Sequence, residues 1–264
     1  MLYQQIMTHK NYNDIKLSKI LREDKFSTSY LGEYNQIRLT VQKINVNKYE
    51  RDTLYKIFRT FIDRVNTLSH ENIIQYIDCY KENDKIVLLS EYIEGKSLDK
   101  ILNDTYLEIH KKIEILHDIA KGMYFLHTLK PAIVHRDLTS SNIMIHQLTL
   151  RAKVSEYIIY NVLSNDSITD KIDTIHLNAN QIKEREDMKG DVYNFGNIMW
   201  EVFNVYKQNS QNRFVKFKQG KPDMSTLDIS TPNEILRLMQ SCWDKNFYNR
   251  PTFSDICNTF RTIK

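Results

Sequence analysis

The chain has 264 residues, of which 41% are hydrophobic and 27% are charged, values typical of a soluble globular domain with a sizeable core. Lysine plus arginine (37) nearly balances aspartate plus glutamate (33), and no basic block stands out, so nucleic-acid binding is not expected. No apolar run has the length of a transmembrane helix, so no membrane span or membrane partner is expected. Three well-separated cysteines predict reduced thiols and a cytoplasmic protein.

The first part of the chain is predicted to be a sheet with one helix. Residues 15–46 predict short strands, because apolar and polar residues alternate strictly near the end of this stretch. Apolar residues then recur at helical spacing over 49–68. Two further strands are predicted at 73–80 and 85–90, joined by a polar turn. These elements predict a five-stranded antiparallel sheet plus one helix.

The remainder of the chain is predicted to be mainly helical. Apolar periodicity predicts helices at 98–102, 109–129, 192–205, 232–243 and 253–263. Strands followed by helices indicate an α+β protein with two lobes of different class. We therefore predict a single domain over 1–264, with an N-lobe at about 1–91, a hinge at about 91–97 and a C-lobe at about 97–264.

One motif indicates a chemistry. Residues 135–142 read H-R-D-L-T-S-S-N and match the pattern H-R-D-L-x-x-x-N. On this motif the chain resembles the protein kinases, whose bilobed fold carries such a catalytic loop. The resemblance implies that Asp137 is placed to accept the proton of an attacking hydroxyl and that Asn142 is placed to hold magnesium.

Further landmarks extend the resemblance over roughly residues 15–264, in the tyrosine-kinase-like branch. Lys43 is matched to the lysine of strand three, and Ser90 to the gatekeeper that precedes the hinge. Near the C-terminus, Cys242-Trp243 and Arg250-Pro251-Thr252 match the end of that branch. The resemblance makes Lys43 the candidate nucleotide-binding lysine.

Several positions depart from the kinase pattern. Arg22, Asp24 and Ser27 stand where the phosphate-binding glycines are expected. Glu156 replaces the metal-binding aspartate, and Phe61 replaces the helix glutamate that pairs with the lysine. These changes predict no binding of ATP or magnesium and no enzymatic activity. Asp137, Asn142 and Glu156 are then interpreted as remnants of catalytic and metal-binding residues.

A narrower resemblance rests on residues 21–24 and 27–34, which are similar to the degenerate loop of mixed lineage kinase domain-like pseudokinases. That family executes necroptosis through an N-terminal four-helix bundle, which is not expected here because the strands begin near residue 15. The resemblance is greatest to the poxviral homologues. It implies a decoy that binds host receptor-interacting protein kinase 3 in the host cytosol and inhibits necroptosis.

Two alternatives remain open at this stage. The first is a weak or atypical serine/threonine kinase that uses Asp137, with Glu156 in place of the metal aspartate. The second is a nucleotide-binding switch that transfers no phosphate. For the decoy hypothesis, Ser164, Ser167 and Thr169 are the candidate partner-binding residues, since phosphorylation there would add charge.

Overall fold

The computed structural model describes residues 12–47, 49–159, 162, 181–204 and 222–263. Its contacts divide the chain into two compact units, which separate between Ile93 and Glu94. A short segment, Glu71–Ile73, belongs to the second unit although it lies between two parts of the first in sequence.

The first unit contains a five-stranded antiparallel sheet and one helix. The strands are β1 (Lys16–Glu23), β2 (Ser27–Tyr34), β3 (Ile37–Asn45), β4 (Tyr76–Glu82) and β5 (Lys85–Glu91), in the spatial order β1-β2-β3-β5-β4. Between β3 and β4 in sequence lies helix α1 (Arg51–Val65). Both edge strands are joined to their neighbours by short connections, as expected of hairpins.

Strand β3 places successive side chains on opposite faces of this sheet. Leu39 and Val41 are fully buried in one cluster with apolar residues of β4 and β5. Gln42 and Ile44 lie on the other face and are also buried, at 5% and 0% exposure. Because both faces of β3 are covered, its register is fixed by packing on two sides.

Helix α1 packs against β4 and β5 through an amphipathic face. Its buried residues are Leu54, Ile57, Phe58, Phe61, Ile62 and Val65. Lys81 of β4 lies 3.1 Å from the carboxylate of Asp52 and 5.2 Å from the ring centre of Tyr55. These contacts attach the N-terminal turns of the helix to the sheet.

The second unit is mainly helical. Its helices are α2 (Leu98–Asp104), α3 (Ile109–Thr128), α4 (Gln181–Phe203), α5 (Asn233–Cys242) and α6 (Phe253–Thr262). A small antiparallel sheet is formed by β6 (Gly95–Ser97), β7 (Ile143–His146) and β8 (Ala152–Val154). In the core of the second unit, the Trp243 indole packs on Gly196. Its Nε1–H donates a hydrogen bond to Oδ1 of Asn197, at a distance of 3.0 Å.

The predicted fold class is confirmed. The structure has an antiparallel five-stranded sheet with a helix in one unit and helices in the other, consistent with a bilobed protein kinase fold. The sequence missed the three short strands β6–β8. It also placed the start of α4 about ten residues late, because the first turns of that helix are polar.

Gly122 provides a test of how closely α3 packs. A Cβ atom at this position would lie 2.5 Å from the backbone oxygen of Asn72, whereas a Cβ at Gly190 of α4 would meet nothing within 4 Å. Alanine normally stabilises a helix by about 1 kcal/mol over glycine. We expect Gly190→Ala to raise the free energy of unfolding by about 0.5–1 kcal/mol. Gly122→Ala should lower it by about 1–3 kcal/mol, since backbone has to move.

Chemical denaturation of the two variants checks this contrast. Equal effects of the two substitutions would contradict the packing of α3 on the 71–73 segment.

Candidate active site

The predicted catalytic loop is held by a buried carboxylate from helix α4. Asp191 is fully buried and accepts hydrogen bonds from the backbone N–H groups of His135 and Arg136, both at 2.8 Å. The imidazole Nε2 of His127, at the end of α3, lies 2.9 Å from the same carboxylate. A buried carboxylate needs such partners to offset its lost hydration. Two helices thereby fix the start of the loop.

Arg136 is the residue at which the loop bends. Its backbone has a φ of 66°, a left-handed conformation that is uncommon for residues other than glycine. Its guanidinium donates to the carboxylate of Asp187 at 2.9 Å. Because Asp187 and Asp191 are four residues apart on α4, they lie on one face of the helix and bind the side chain and the backbone of the same residue.

His135 is completely buried beneath the loop and makes two hydrogen bonds that define its tautomer. Nε2 lies 2.8 Å from the backbone oxygen of Ser155, which can only accept, so Nε2 carries the proton. Nδ1 is then the acceptor for the backbone N–H of Asp137 at 3.3 Å. Burial lowers the pKa of His135, since the charged form is poorly solvated there.

Asp137 and Asn142 are brought together as the motif predicts. The Asn142 amide donates to the backbone oxygen of Asp137 at 2.9 Å and to its carboxylate at 3.0 Å. Ser155 donates from both its backbone N–H and its hydroxyl to the backbone oxygen of Asn142, each at 2.9 Å. The orientation of the Asp137 carboxylate is therefore set by a buried amide.

Glu156 follows Ser155 directly and has a φ of 64°. Its side chain is half-buried, while Tyr157 and Ile158 behind it are buried at 1% and 0% exposure. Ile158 thus holds this segment in the core at a position where glycine is expected in the kinase pattern. Within the described residues, no group of three or more His, Cys, Asp and Glu side chains is arranged to hold a metal ion.

The structure places Lys43 away from the position that the sequence analysis assigned to it. Lys43 is cross-strand to Val87, on the sheet face that carries Val41, and its ammonium group forms an ion pair with Glu82. Ser90, the predicted gatekeeper, is cross-strand to Thr40 and so lies on the other face. Lys43 and Ser90 cannot line the same surface of the sheet.

Gln42 lies on the Ser90 face of β3, together with Thr40 and Ile44. It is 5% exposed and its amide donates to the hydroxyl of Ser27 at 3.1 Å. The assignment of Lys43 as the lysine of strand three is therefore corrected to Gln42, one residue earlier. The sequence analysis matched a cation to this position, and a one-residue shift along a strand moves a side chain to the opposite face of the sheet.

The remaining candidates are placed as follows. Phe61 is buried in the apolar face of α1, at 7% exposure, so no carboxylate stands at that position. Arg22 lies near the end of β1, Asp24 in the turn that follows, and Ser27 at the start of β2. Ser164, Ser167 and Thr169, predicted to bind a partner, lie outside the described residues.

Comparison with known proteins agrees with this geometry. The family model for protein tyrosine and serine/threonine kinases matches residues 15–260. Since the match covers most of the chain, the chain belongs to the protein tyrosine and serine/threonine kinase family.

Individual relatives are more distant. A "Putative serine/threonine-protein kinase/receptor" of Acanthamoeba polyphaga mimivirus is 29% identical over 252 residues, covering 93% of this chain and 15% of the relative. A dual specificity protein kinase of Dictyostelium discoideum is 27% identical over 290 residues, covering 96% of this chain and 45% of the relative. A second dual specificity protein kinase of Dictyostelium discoideum is 23% identical over 255 residues, and this chain covers 50% of its length. The chain therefore spans half or less of each of these relatives.

These comparisons contradict the expectation that the chain is not an enzyme, because the relatives are named as serine/threonine or dual specificity protein kinases. The expectation gave the lost phosphate-binding residues too much weight. Such losses weaken the hold on a nucleotide, whereas Asp137, the proton acceptor of the motif, is present and oriented.

In the part of the chain that the structure describes, no helix is long and apolar enough to cross a membrane.

The His135 hydrogen bonds predict a pH dependence of stability. The folded state favours the neutral imidazole, so its contribution is complete above the ordinary histidine pKa of about 6.5 and is lost as the pH falls below it. We expect the free energy of unfolding to drop by about 1 kcal/mol from this residue between pH 7.5 and 5.5. His117, whose pKa is also lowered by burial, adds to the same trend.

Denaturant unfolding at the two pH values measures this loss for the wild type and for His135→Phe. The variant should be less stable at pH 7.5 and should show the shallower pH dependence. An unchanged pH dependence in the variant would show that His135 does not titrate in this range.

Proposed function

We propose that this chain is an atypical serine/threonine protein kinase domain, which transfers the γ-phosphate of a nucleoside triphosphate to a protein hydroxyl. The observation that supports the proposal most is the orientation of Asp137 by Asn142. The Asn142 amide nitrogen lies 3.0 Å from the Asp137 carboxylate, on a loop whose backbone is hydrogen-bonded to Asp191. A general base has to be held in a defined orientation to accept a proton, and the Asn142 amide holds this carboxylate in that way.

In the proposed reaction, Asp137 accepts the proton of the attacking hydroxyl as the oxygen–phosphorus bond forms. The bond from the γ-phosphorus to the bridging oxygen breaks, and the nucleoside diphosphate leaves with the electron pair. Asn142 holds the carboxylate in the position to receive the proton. The backbone hydrogen bonds from Ser155 to Asn142 keep that amide in place.

The divalent cation that this family uses would find ligands of suitable chemistry in Asn142 and Glu156. Both side chains offer oxygen atoms, which magnesium prefers. Ser155 binds Asn142 and directly precedes Glu156, so the two candidate ligands are tied to one short segment. A bound cation would neutralise phosphate charge. Glutamate is longer than the aspartate of the family pattern, and Gln42 is neutral, so we expect slow turnover.

The kinase proposal predicts phosphoryl transfer that depends on Asp137. With radiolabelled ATP, magnesium and general substrates such as myelin basic protein, Asp137→Asn should reduce incorporation at least about 100-fold, since a general base contributes that much. The matched control is Asp187→Asn, which also removes one carboxylate near the loop but leaves the proton acceptor, and should retain more activity.

Thermal unfolding should show both variants folded. If wild type and Asp137→Asn give the same signal, it comes from a contaminant and the kinase proposal fails.

We further propose, from the narrower resemblance, that the protein binds receptor-interacting protein kinase 3 in the cytosol of a host cell and suppresses necroptosis. The support is the similarity over residues 21–24 and 27–34, which comprise the end of β1, the turn residue Asp24 and all of β2. Such binding does not exclude catalysis, because a kinase domain can hold a partner on a surface away from Asp137. The names of the relatives given above do not bear on this proposal.

Co-precipitation from cells given a necroptotic stimulus tests the partner. We expect the kinase to be captured and cell death to be delayed. Replacing Ser164, Ser167 and Thr169 together by alanine should reduce capture, and Asp137→Asn should not. If the kinase is not captured and the cells die at the normal rate, this second proposal is wrong and the kinase proposal is unaffected.

A further inference from the structure

The turn between β1 and β2 is closed by an acidic side chain. The carboxylate of Asp24 accepts hydrogen bonds from the backbone N–H groups of Phe26 and Ser27, at 2.9 and 2.8 Å. The hydroxyl of Ser27 donates to the same carboxylate at 3.2 Å. Backbone N–H groups that point together into a turn form a binding site for an anion. Here that anion is part of the protein.

A second observation joins this turn to β3. The Gln42 amide donates to the Ser27 hydroxyl at 3.1 Å, which in turn donates to Asp24. Ser27 and Gln42 are both almost completely buried, at 3% and 5% exposure. The buried pair Gln42 and Ser27 therefore ties the exposed carboxylate of Asp24 to the sheet face that also carries Ser90.

We propose that Asp24 acts as an internal substitute for a phosphate group, and that Asp24 and Gln42 together limit the affinity of this unit for nucleoside triphosphates. In the kinase family the loop between these two strands covers the phosphates of the nucleotide. In this chain the N–H groups of Phe26 and Ser27 are occupied by the carboxylate. A triphosphate binds there only when Asp24 leaves the turn.

The negative charge of Asp24 adds to the effect of its hydrogen bonds to the N–H groups of Phe26 and Ser27. A carboxylate and a phosphate at the same N–H groups repel each other, and because Asp24 is exposed this repulsion is reduced by water. Arg22 lies 3.6 Å from Asp24, but its side chain is 41% exposed, so its compensation is screened by water. Gln42 supplies a neutral amide where the family pattern has a cation, so this position does not attract the phosphates by charge in place of Asp24.

The inference rests on the proposed kinase function for the identity of the ligand, but its test measures binding and not transfer. ATP with magnesium, and adenosine as the ligand without phosphates, are titrated calorimetrically into the full chain. Asp24→Gly should raise the affinity for ATP by about tenfold or more, which is the value of one charge-assisted hydrogen bond. The affinity for adenosine should stay the same.

Asp24→Asn removes the charge but keeps an acceptor for the N–H groups, and should give a smaller gain. Two control variants sharpen the result. Glu23→Gln removes the same charge one residue away and should leave ATP affinity unchanged. Lys43→Gln should also leave it unchanged, since Lys43 lies on the other face and pairs with Glu82. Thermal unfolding of each variant confirms that it is folded.

Three outcomes would overturn the inference. One is an unchanged ATP affinity in both Asp24 variants. Another is an equal gain in Glu23→Gln, which would indicate only overall charge. The last is an equal gain for ATP and adenosine, which would place the effect away from the phosphates. Tighter ATP binding by Asp24→Gly without any phosphoryl transfer would support this inference while refuting the kinase proposal.

Discussion

The carboxylate of Asp191 is the constraint on which the second unit depends most. It is buried and charged, and it is compensated by two backbone N–H groups of the loop and by the His127 ring. Removing one partner of a buried charge typically costs about 3–5 kcal/mol. Helices α3 and α4 and the loop therefore hold one another in a single arrangement. The positions of Asp137 and Asn142 follow from this arrangement together with the two hydrogen bonds that Ser155 donates to the backbone oxygen of Asn142.

The fold could be predicted from the sequence wherever periodicity was strong. Alternation identified β3, and the apolar spacing of residues 49–68 identified α1. The strands β6–β8 were missed because three or four residues are too few to establish a period. The start of α4 was missed for a different reason. Its first turns are rich in charged residues, and their structural role, to present Asp187 and Asp191 to the loop, depends on contacts that are distant in sequence.

The candidate site likewise contains residues that the sequence predicted and residues that it did not. A motif with fixed spacing found Asp137 and Asn142 and placed them correctly relative to each other. The lysine of strand three does not belong to a motif of fixed spacing. Lys43 was therefore chosen in error, in place of the neighbouring buried Gln42. The signal that could have corrected it is the pairing of β3 with β5, which sets Gln42 and Ser90 on one face. The sequence identified Asp24 only as a replacement for a phosphate-binding glycine. Its hydrogen bonds to the N–H groups of Phe26 and Ser27 depend on the backbone conformation of the turn, which no sequence pattern specifies.

One feature of the loop bears on how such proteins diversify. Two of the three groups that bind Asp191 are backbone N–H groups, which every residue except proline provides. Mutations that alter the side chains at the loop entrance therefore leave most of this anchoring intact. The anchoring of the loop to α4 and the chemistry at Asp137 therefore depend on different atoms, so a change of side chain at Asp137 does not remove the anchoring. Evolution can in this way explore activity and architecture as nearly independent variables.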